Sequence, residues 1–187
     1  MNVIAICGSR NPTGQTARAL AAFTAGLSQQ GAQVQTVMLP ERQIERCRQC
    51  DANGWGACRK DGRCVIQDDL HELVAAIRAA DAAVFATPVY FGDLSESLRA
   101  FLDRLRRQGV CEAGRAGLEG KPAIGLCVAG GGGGGAPRCA ESLNWVLQSS
   151  RFEPAEVIPL RRQSLPHRLA VLTESGRQWA KALSGQA

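Results

Sequence analysis

Four cysteines close together are the most distinctive chemical feature of the sequence. Cys47, Cys50, Cys58 and Cys64 are separated by two, seven and five residues. Thiolates at this density can ligate a [4Fe-4S] cluster or a tetrahedral zinc ion. The sequence has enough apolar residues to form a hydrophobic core, and its N-terminus does not resemble an export signal. A disulfide framework is therefore disfavoured. A cluster, a zinc site and plain reduced thiols stay open as alternatives.

A second candidate site is the loop at residues 8–16, which reads Gly-Ser-Arg-Asn-Pro-Thr-Gly-Gln-Thr. It joins a predicted strand to a predicted helix, where unpaired backbone N–H groups and the helix dipole favour an anion. The loop lacks the motifs of a P-loop and of a dinucleotide-binding turn, so FMN suits it better than ATP or FAD. The alternative is that these residues only cap the helix. Ser9, Arg10 and Thr16 are the predicted phosphate contacts, and Thr13 is a further candidate cofactor contact.

Two further loops carry material for binding a flat ring. The first provides aromatic residues beside a proline and a glycine, which could form a rigid apolar ledge for an isoalloxazine ring. These aromatic residues could instead be core or interface residues. The second loop is a run of six glycines at residues 130–135, which offers backbone contacts or is a flexible linker. The predicted ring contacts are Pro88, Val89, Tyr90, Phe91, Gly92, Gly130 and Gly131.

The elements that position these loops alternate along the chain. Short apolar runs predict strands, and apolar residues at helical spacing between them predict helices. This alternation predicts an α/β fold, a five-stranded parallel sheet of order 2-1-3-4-5 with helices on both faces. A ligand should then lie beyond the strand carboxyl ends, between strands 1 and 3. The predicted strands are 2–7, 34–39, 82–87, 123–129 and 156–160, and the last helix is predicted around 174–183.

Composition narrows the classes of protein. The 187 residues have the length of one domain, residues 1–187, and the polar, cysteine-rich stretch at about 42–67 is an insertion in it. The net charge of +5 comes from scattered basic residues, which does not indicate nucleic-acid binding. The sequence has no apolar run of 18 residues, so we expect no membrane span and a cytoplasmic location.

Three motifs together resemble the NAD(P)H-dependent FMN reductase and iron-sulfur flavoprotein group of the flavodoxin-like superfamily. The resemblance covers residues 2 to about 150. It implies that Ser9, Arg10, Gln15 and Thr16 hold the FMN phosphate, that residues 88–92 contact the ring and ribityl chain, and that the loop from Gly130 approaches the pyrimidine side. The motifs are the loop 8–16, Gly62-x-Cys64-x-Ile66-x-Asp68-Asp69, and Thr87–Gly92 running into Phe101-Leu102-Asp103-Arg104.

The resemblance also implies an activity. An oxidoreductase of this group takes hydride from NAD(P)H onto FMN and passes electrons to a small-molecule or protein acceptor, with no catalytic side chain. Relatives usually form homodimers or homotetramers. One alternative is an electron-transfer iron-sulfur flavoprotein with a [4Fe-4S] cluster at the four cysteines, although the first three are more tightly spaced in that group. Another is a nonenzymatic flavin-binding regulator.

Overall fold

Five parallel strands form one sheet in the order β2-β1-β3-β4-β5, as predicted. The computed structural model describes residues 1–185. Each strand begins and ends within a few residues of its predicted bounds, because the apolar runs that define the strands are the segments buried in the sheet. The strands are β1 (Asn2–Cys7), β2 (Gln33–Met38), β3 (Ala82–Val89), β4 (Lys121–Ala129) and β5 (Phe152–Arg161).

The central strands are buried on both faces. Residues 3–7 of β1 and 82–87 of β3 are all buried, and both segments read as unbroken runs of small and aliphatic residues apart from Phe85 and Thr87. Such runs are typical of parallel strands with helices on both sides. The edge strand β2 buries only Val37, which is consistent with a strand that has one neighbour.

Helices cover the two faces of the sheet. On one face lie α1 (Gln15–Gln29) and α7 (Leu165–Leu183), and on the other lie α3 (Leu70–Ala79), α4 (Glu96–Gln108) and α6 (Ala136–Ser149). Within residues 1–185, none of the helices has the length and apolar character needed to cross a membrane. Two one-turn helices, α2 (Ala57–Lys60) and α5 (Glu112–Arg115), were not predicted.

The predicted start of the last helix is wrong. It begins at Leu165 rather than near Glu174. Leu165, Leu169 and Leu172 lie at helical spacing, and Leu165 and Leu172 are buried, so the apolar periodicity extends more than two turns further back than predicted. Pro166 is compatible with this start, since proline lacks only an N–H that the first helical turn cannot use. Gly26 of α1 and Gly176 of α7 then allow the two backbones to touch. A Cβ on Gly176 would lie 2.1 Å from the Phe23 carbonyl oxygen.

The cysteine-rich segment at residues 42–67 is held against α4 by a buried ion pair. The side chains of Arg104 and Asp68 are 1% and 5% exposed. One Arg104 guanidinium nitrogen also donates to the Glu45 carbonyl at 3.0 Å, and the other lies 3.3 Å from Cys64 Sγ. Arg104 therefore joins three points of a segment that has little regular structure of its own.

Asp68 completes this anchor from the start of α3. Its carboxylate accepts a hydrogen bond from the Glu45 N–H at 2.8 Å, and the neighbouring Asp69 accepts one from the Gln43 N–H, also at 2.8 Å. Burial opposes ionisation, but the hydrogen bonds from Arg104 and Glu45 outweigh it and lower the pKa of Asp68. The acidic pair that precedes α3 therefore fixes the start of the segment.

We expect Asp68→Asn to lower the free energy of unfolding by about 3 kcal/mol at neutral pH, because Arg104 would be left buried without its counter-charge. The pKa of Asp68 is lower in the folded chain, so its ionisation stabilises the fold above the unfolded-state pKa. That stabilisation is lost as pH falls through the folded-state pKa, so the two proteins should begin to converge below about pH 4, near the unfolded-state pKa, and should meet only below the lower folded-state pKa. Urea denaturation over a pH series measures this.

The matched control for this variant is Asp61→Asn, which changes an exposed carboxylate of the same segment. It should alter the free energy of unfolding by less than about 0.5 kcal/mol. Equal effects of the two substitutions at neutral pH would contradict the assignment of Asp68 as the anchor.

Candidate functional site

Three loops meet at the carboxyl edge of the sheet and line one open cleft of about 600 Å³. They follow β1, β3 and β4, which are neighbours in the sheet. The cleft therefore lies where the predicted strand order places a ligand site. Of the predicted contacts, Ser9, Gln15, Thr16, Pro88, Val89, Tyr90, Phe91, Gly92, Gly130 and Gly131 line it.

Two predicted residues of the first loop, Arg10 and Thr13, are exposed and do not line the cleft. Thr13 is held in a turn built on Asn11, whose side-chain oxygen accepts hydrogen bonds from the Thr13 N–H and hydroxyl, both at 3.0 Å. Asn11 itself lines the cleft, as does Gly14. Asparagine often folds a loop in this way. Its residue type could therefore have identified Asn11 as a residue of the site, although it was not among the predicted contacts.

The start of α1 faces this cleft with backbone donors. In the part of the chain that the structure describes, no side chain caps the helix at Gly14, so its first-turn N–H groups are left for another acceptor. The hydroxyl-bearing residues Ser9 and Thr16 are 7% and 4% exposed and both line the cleft. The alternative interpretation of this loop was that its residues only cap the helix. At Gly14 the structure does not show such a cap.

The second loop presents aromatic residues to the solvent. Phe91 is fully exposed and has a φ of +51°, and Gly92 follows at +80°. Positive φ is uncommon for a bulky residue and often marks a functional position. Tyr90 and Asp93 exchange two backbone hydrogen bonds, at 3.0 and 2.9 Å, which closes the turn. The alternative that Tyr90 and Phe91 are core aromatics is wrong, because both side chains are exposed.

Asp93 fixes this turn to the helices behind it. Its carboxylate accepts hydrogen bonds from the Leu94 N–H at 2.8 Å and the Ser142 hydroxyl at 2.9 Å, and it pairs with Arg99. Burial opposes ionisation, but these contacts outweigh it and lower the pKa of Asp93. The carboxylate is thus a fixed anchor between α4, α6 and the second loop.

The glycine run forms an ordered wall of the cleft. A Cβ on Gly135 would lie 2.9 Å from the Gly92 Cα, so the second and third loops can approach this closely only because residue 135 has no side chain. The Gln163 side chain donates to the Gly131 carbonyl, and the Arg162 N–H donates to the Ala129 carbonyl at 2.9 Å. The glycine loop is therefore tied to neighbouring residues by hydrogen bonds, whereas its composition alone would suggest a flexible linker. Gly132–Gly135, Val128 and Ala129 also line the cleft, beyond the predicted residues.

The four cysteines of the segment line a separate cavity. Cys47, Cys50, Cys58 and Cys64 surround it together with Trp55 and three arginines. Within residues 1–185, however, no group of three or more His, Cys, Asp or Glu side chains is arranged to hold a metal ion. In this arrangement the donor set does not fit a cluster or a zinc ion, and Arg104 contacts the Cys64 sulfur. Metal ligation by these cysteines stays a prediction.

The other four cysteines lie outside the cysteine-rich segment. Cys7, Cys127 and Cys139 are buried, whereas Cys111 is only half-buried and precedes α5. A hydrogen bond to Cys139, together with burial, raises the pKa of Cys127, and burial raises that of Cys7. Both thiols stay protonated at neutral pH, so neither supplies a thiolate nucleophile beside the cleft.

Comparisons with known proteins agree with this geometry. The model of the family described as NADPH-dependent FMN reductase matches residues 1–155. An iron-sulfur flavoprotein of Methanosarcina thermophila is 30% identical over 147 residues, which are 77% of this chain and 71% of that protein. An iron-sulfur flavoprotein of Methanocaldococcus jannaschii is 29% identical over 131 residues, 70% of this chain. The match spans only 65% of that relative's length.

Solved structures show the same fold. The NAD(P)H:quinone oxidoreductase from Methanothermobacter marburgensis superposes with a TM-score of 0.67 and 22% identity, covering 96% of each chain. With the strand order 2-1-3-4-5, this likeness makes the fold flavodoxin-like. The family match covers most of the chain, including all three loops of the cleft. The chain belongs to the NADPH-dependent FMN reductase family.

Proposed function

We propose that this protein is an FMN-dependent oxidoreductase that passes electrons from NAD(P)H to a second acceptor. One observation carries the proposal. An uncapped helix start, an exposed aromatic turn and a wall of glycine backbone line the same cleft. The helix start suits a phosphate, the aromatic turn suits a flat ring, and the glycine backbone suits the polar edge of that ring.

The residues present fit FMN. The phosphate would be held by the first-turn N–H groups of α1 and by the hydroxyls of Ser9 and Thr16, with Arg10 close in sequence to add charge. The ring would contact residues 88–92, where Phe91 and Tyr90 are exposed. The backbone of Gly130 and Gly131 would reach the pyrimidine side, because no side chain stands in the way.

The cofactor must supply the chemistry, since FMN can accept hydride from a nicotinamide and release electrons to an acceptor. Among the described residues that line the cleft, Tyr90 is the one with an ionisable side chain. The cleft thus offers no carboxylate, imidazole, thiol or amine as a general acid or base. Its residues bind and orient, and Asp93 and its partners keep the aromatic turn in place.

The acceptor would enter from the open side of the cleft. Side chains added at Gly130, Gly131, Gly132 or Gly134 would meet no atom within 4 Å, so this wall borders open space. A cleft of about 600 Å³ has room for a small aromatic acceptor beside the flavin. The name of the Methanothermobacter neighbour, a quinone oxidoreductase, supports a quinone-type acceptor.

A second candidate is an electron-transfer iron-sulfur flavoprotein. It is favoured by the four cysteines that line one cavity and by the names of the two archaeal relatives. The described side chains are not arranged as a ligand set, so cluster binding would require the segment to rearrange. Iron and sulfide assays distinguish the two candidates.

We expect Thr16→Val to weaken FMN binding about tenfold, because the substitution removes one hydroxyl donor from the phosphate while conserving shape. Isothermal titration of the flavin-free protein with FMN measures this. Thr24→Val is the matched control. Thr24 lies on the same helix, and its hydroxyl donates to the Leu20 carbonyl at 3.0 Å. If both variants bind FMN as the parent protein does, Thr16 does not contact the phosphate.

An anaerobic absorption spectrum of the FMN-loaded protein, before and after NADPH is added, tests the activity. We expect flavin bands that bleach on addition and return when a quinone is supplied. Bleaching without bound iron and acid-labile sulfide supports a simple FMN reductase. Iron and sulfide at roughly four per chain would favour the second candidate instead. A protein that binds no flavin would contradict both.

A further inference from the structure

A second cleft lies on the solvent side of α4 and α6, away from the flavin site. It has a volume of about 280 Å³ and is lined by Trp55, Arg106, Arg107, Val110, Trp145 and Ser149. None of these residues lines the flavin cleft. Arg106 lies ten residues after Glu96, the first residue of α4, which is about 15 Å along the helix.

Two indole rings border this second cleft. Trp145 is 59% exposed on the outer face of α6, although a side chain of this size is usually well buried. The third tryptophan, Trp179, packs against Phe23 with ring centroids 5.9 Å apart. Trp55 is half-buried. Indoles with exposed surface beside a concavity are typical of binding sites, because they offer a large rigid apolar face and one N–H donor.

Arginines lie over both indoles. The guanidinium carbon of Arg106 is 5.8 Å from the centroid of Trp145, and that of Arg107 is 4.7 Å from the centroid of Trp55. These distances are within cation–π range. A guanidinium can stack on an aromatic face and still donate hydrogen bonds to an anionic group.

Both arginines keep donors for a ligand. Arg107 donates to the Gly54 carbonyl at 2.7 Å, and Arg106 pairs with Asp103 at 2.9 Å. A guanidinium has five N–H groups, so one contact each leaves several unused. Arg59 also lies over Trp55, at 5.5 Å. Two arginines and no carboxylate are among the described residues that line the cleft, so its lining is positively charged.

We propose that this cleft binds a small planar aromatic anion, one or two rings carrying a carboxylate, sulfonate or phosphate. The ring would pack against Trp145 and Val110, and the anionic group would accept hydrogen bonds from Arg106 and Arg107. The cleft volume matches a ligand of this size. The site is independent of the proposed flavin chemistry, since the two clefts share no residue.

The test is a titration of FMN-saturated protein with 2-naphthoate, followed by calorimetry and by the indole N–H signals in a ¹H–¹⁵N spectrum. Saturation with FMN keeps the probe out of the flavin cleft. We expect a Kd below about 1 mM, with shifts of the Trp55 and Trp145 signals but not of Trp179. The neutral 2-naphthamide and the nonaromatic cyclohexanecarboxylate should each bind about tenfold more weakly.

Variants locate the site. Trp145→Leu and Arg106→Gln should each weaken 2-naphthoate binding about tenfold, whereas Arg168→Gln, an exposed change on α7, should leave binding unchanged. Trp145 and Arg106 are not in the core, so both variants should fold, and their unaltered FMN affinity would show it. The proposal is overturned if 2-naphthoate leaves both indole signals in place, or if all three compounds bind equally. If polyglutamate binds at this surface and 2-naphthoate does not, the surface is a docking site for an acidic protein and the proposal is wrong.

Discussion

The candidate site depends on one constraint, the side-by-side burial of β1, β3 and β4 in a parallel sheet. Because these strands run in the same direction, the loops that follow them must leave from one edge. Hydrogen bonds then lock the loops together. The Gly8 N–H donates to the Ala86 carbonyl at 2.8 Å, and the Ser97 hydroxyl donates to the Gly8 carbonyl at 3.1 Å. A Cβ on Gly8 would lie 2.4 Å from Ser95 Oγ, so the first loop can sit this close to α4 only without a side chain there.

A second level of organisation is electrostatic and lies on the outer side of α4. Arg104, Asp68 and the backbone of the cysteine-rich segment form one buried polar network, and each member is costly to bury without the others. The network ties an irregular segment to the sheet's outer helix layer. It thereby places the four cysteines around one cavity, and Trp55 at the boundary between that cavity and the cleft beside Trp145.

Apolar periodicity predicted the strand order, and the loop motifs together with the family resemblance indicated ten of the residues that line the cleft at the strand ends. Neither could place Thr13 outside the cleft, since that depends on the turn made by Asn11. The exposure of Phe91 and the contact of Gly92 with Gly135 depend on loops that meet only after folding. The sequence could not predict the role of Arg104 either, because the burial of a charge depends on where its distant partners lie.

The central claim is that the cleft at the strand ends holds the phosphate of FMN at the start of α1. A comparison of FMN with riboflavin tests it most directly, because the two ligands share the ring and ribityl chain and differ only in the phosphate. Calorimetric titration of the flavin-free protein should give a Kd for FMN at least about a hundredfold lower than that for riboflavin. Equal affinities would show that the loop at residues 8–16 binds no phosphate and would contradict the account.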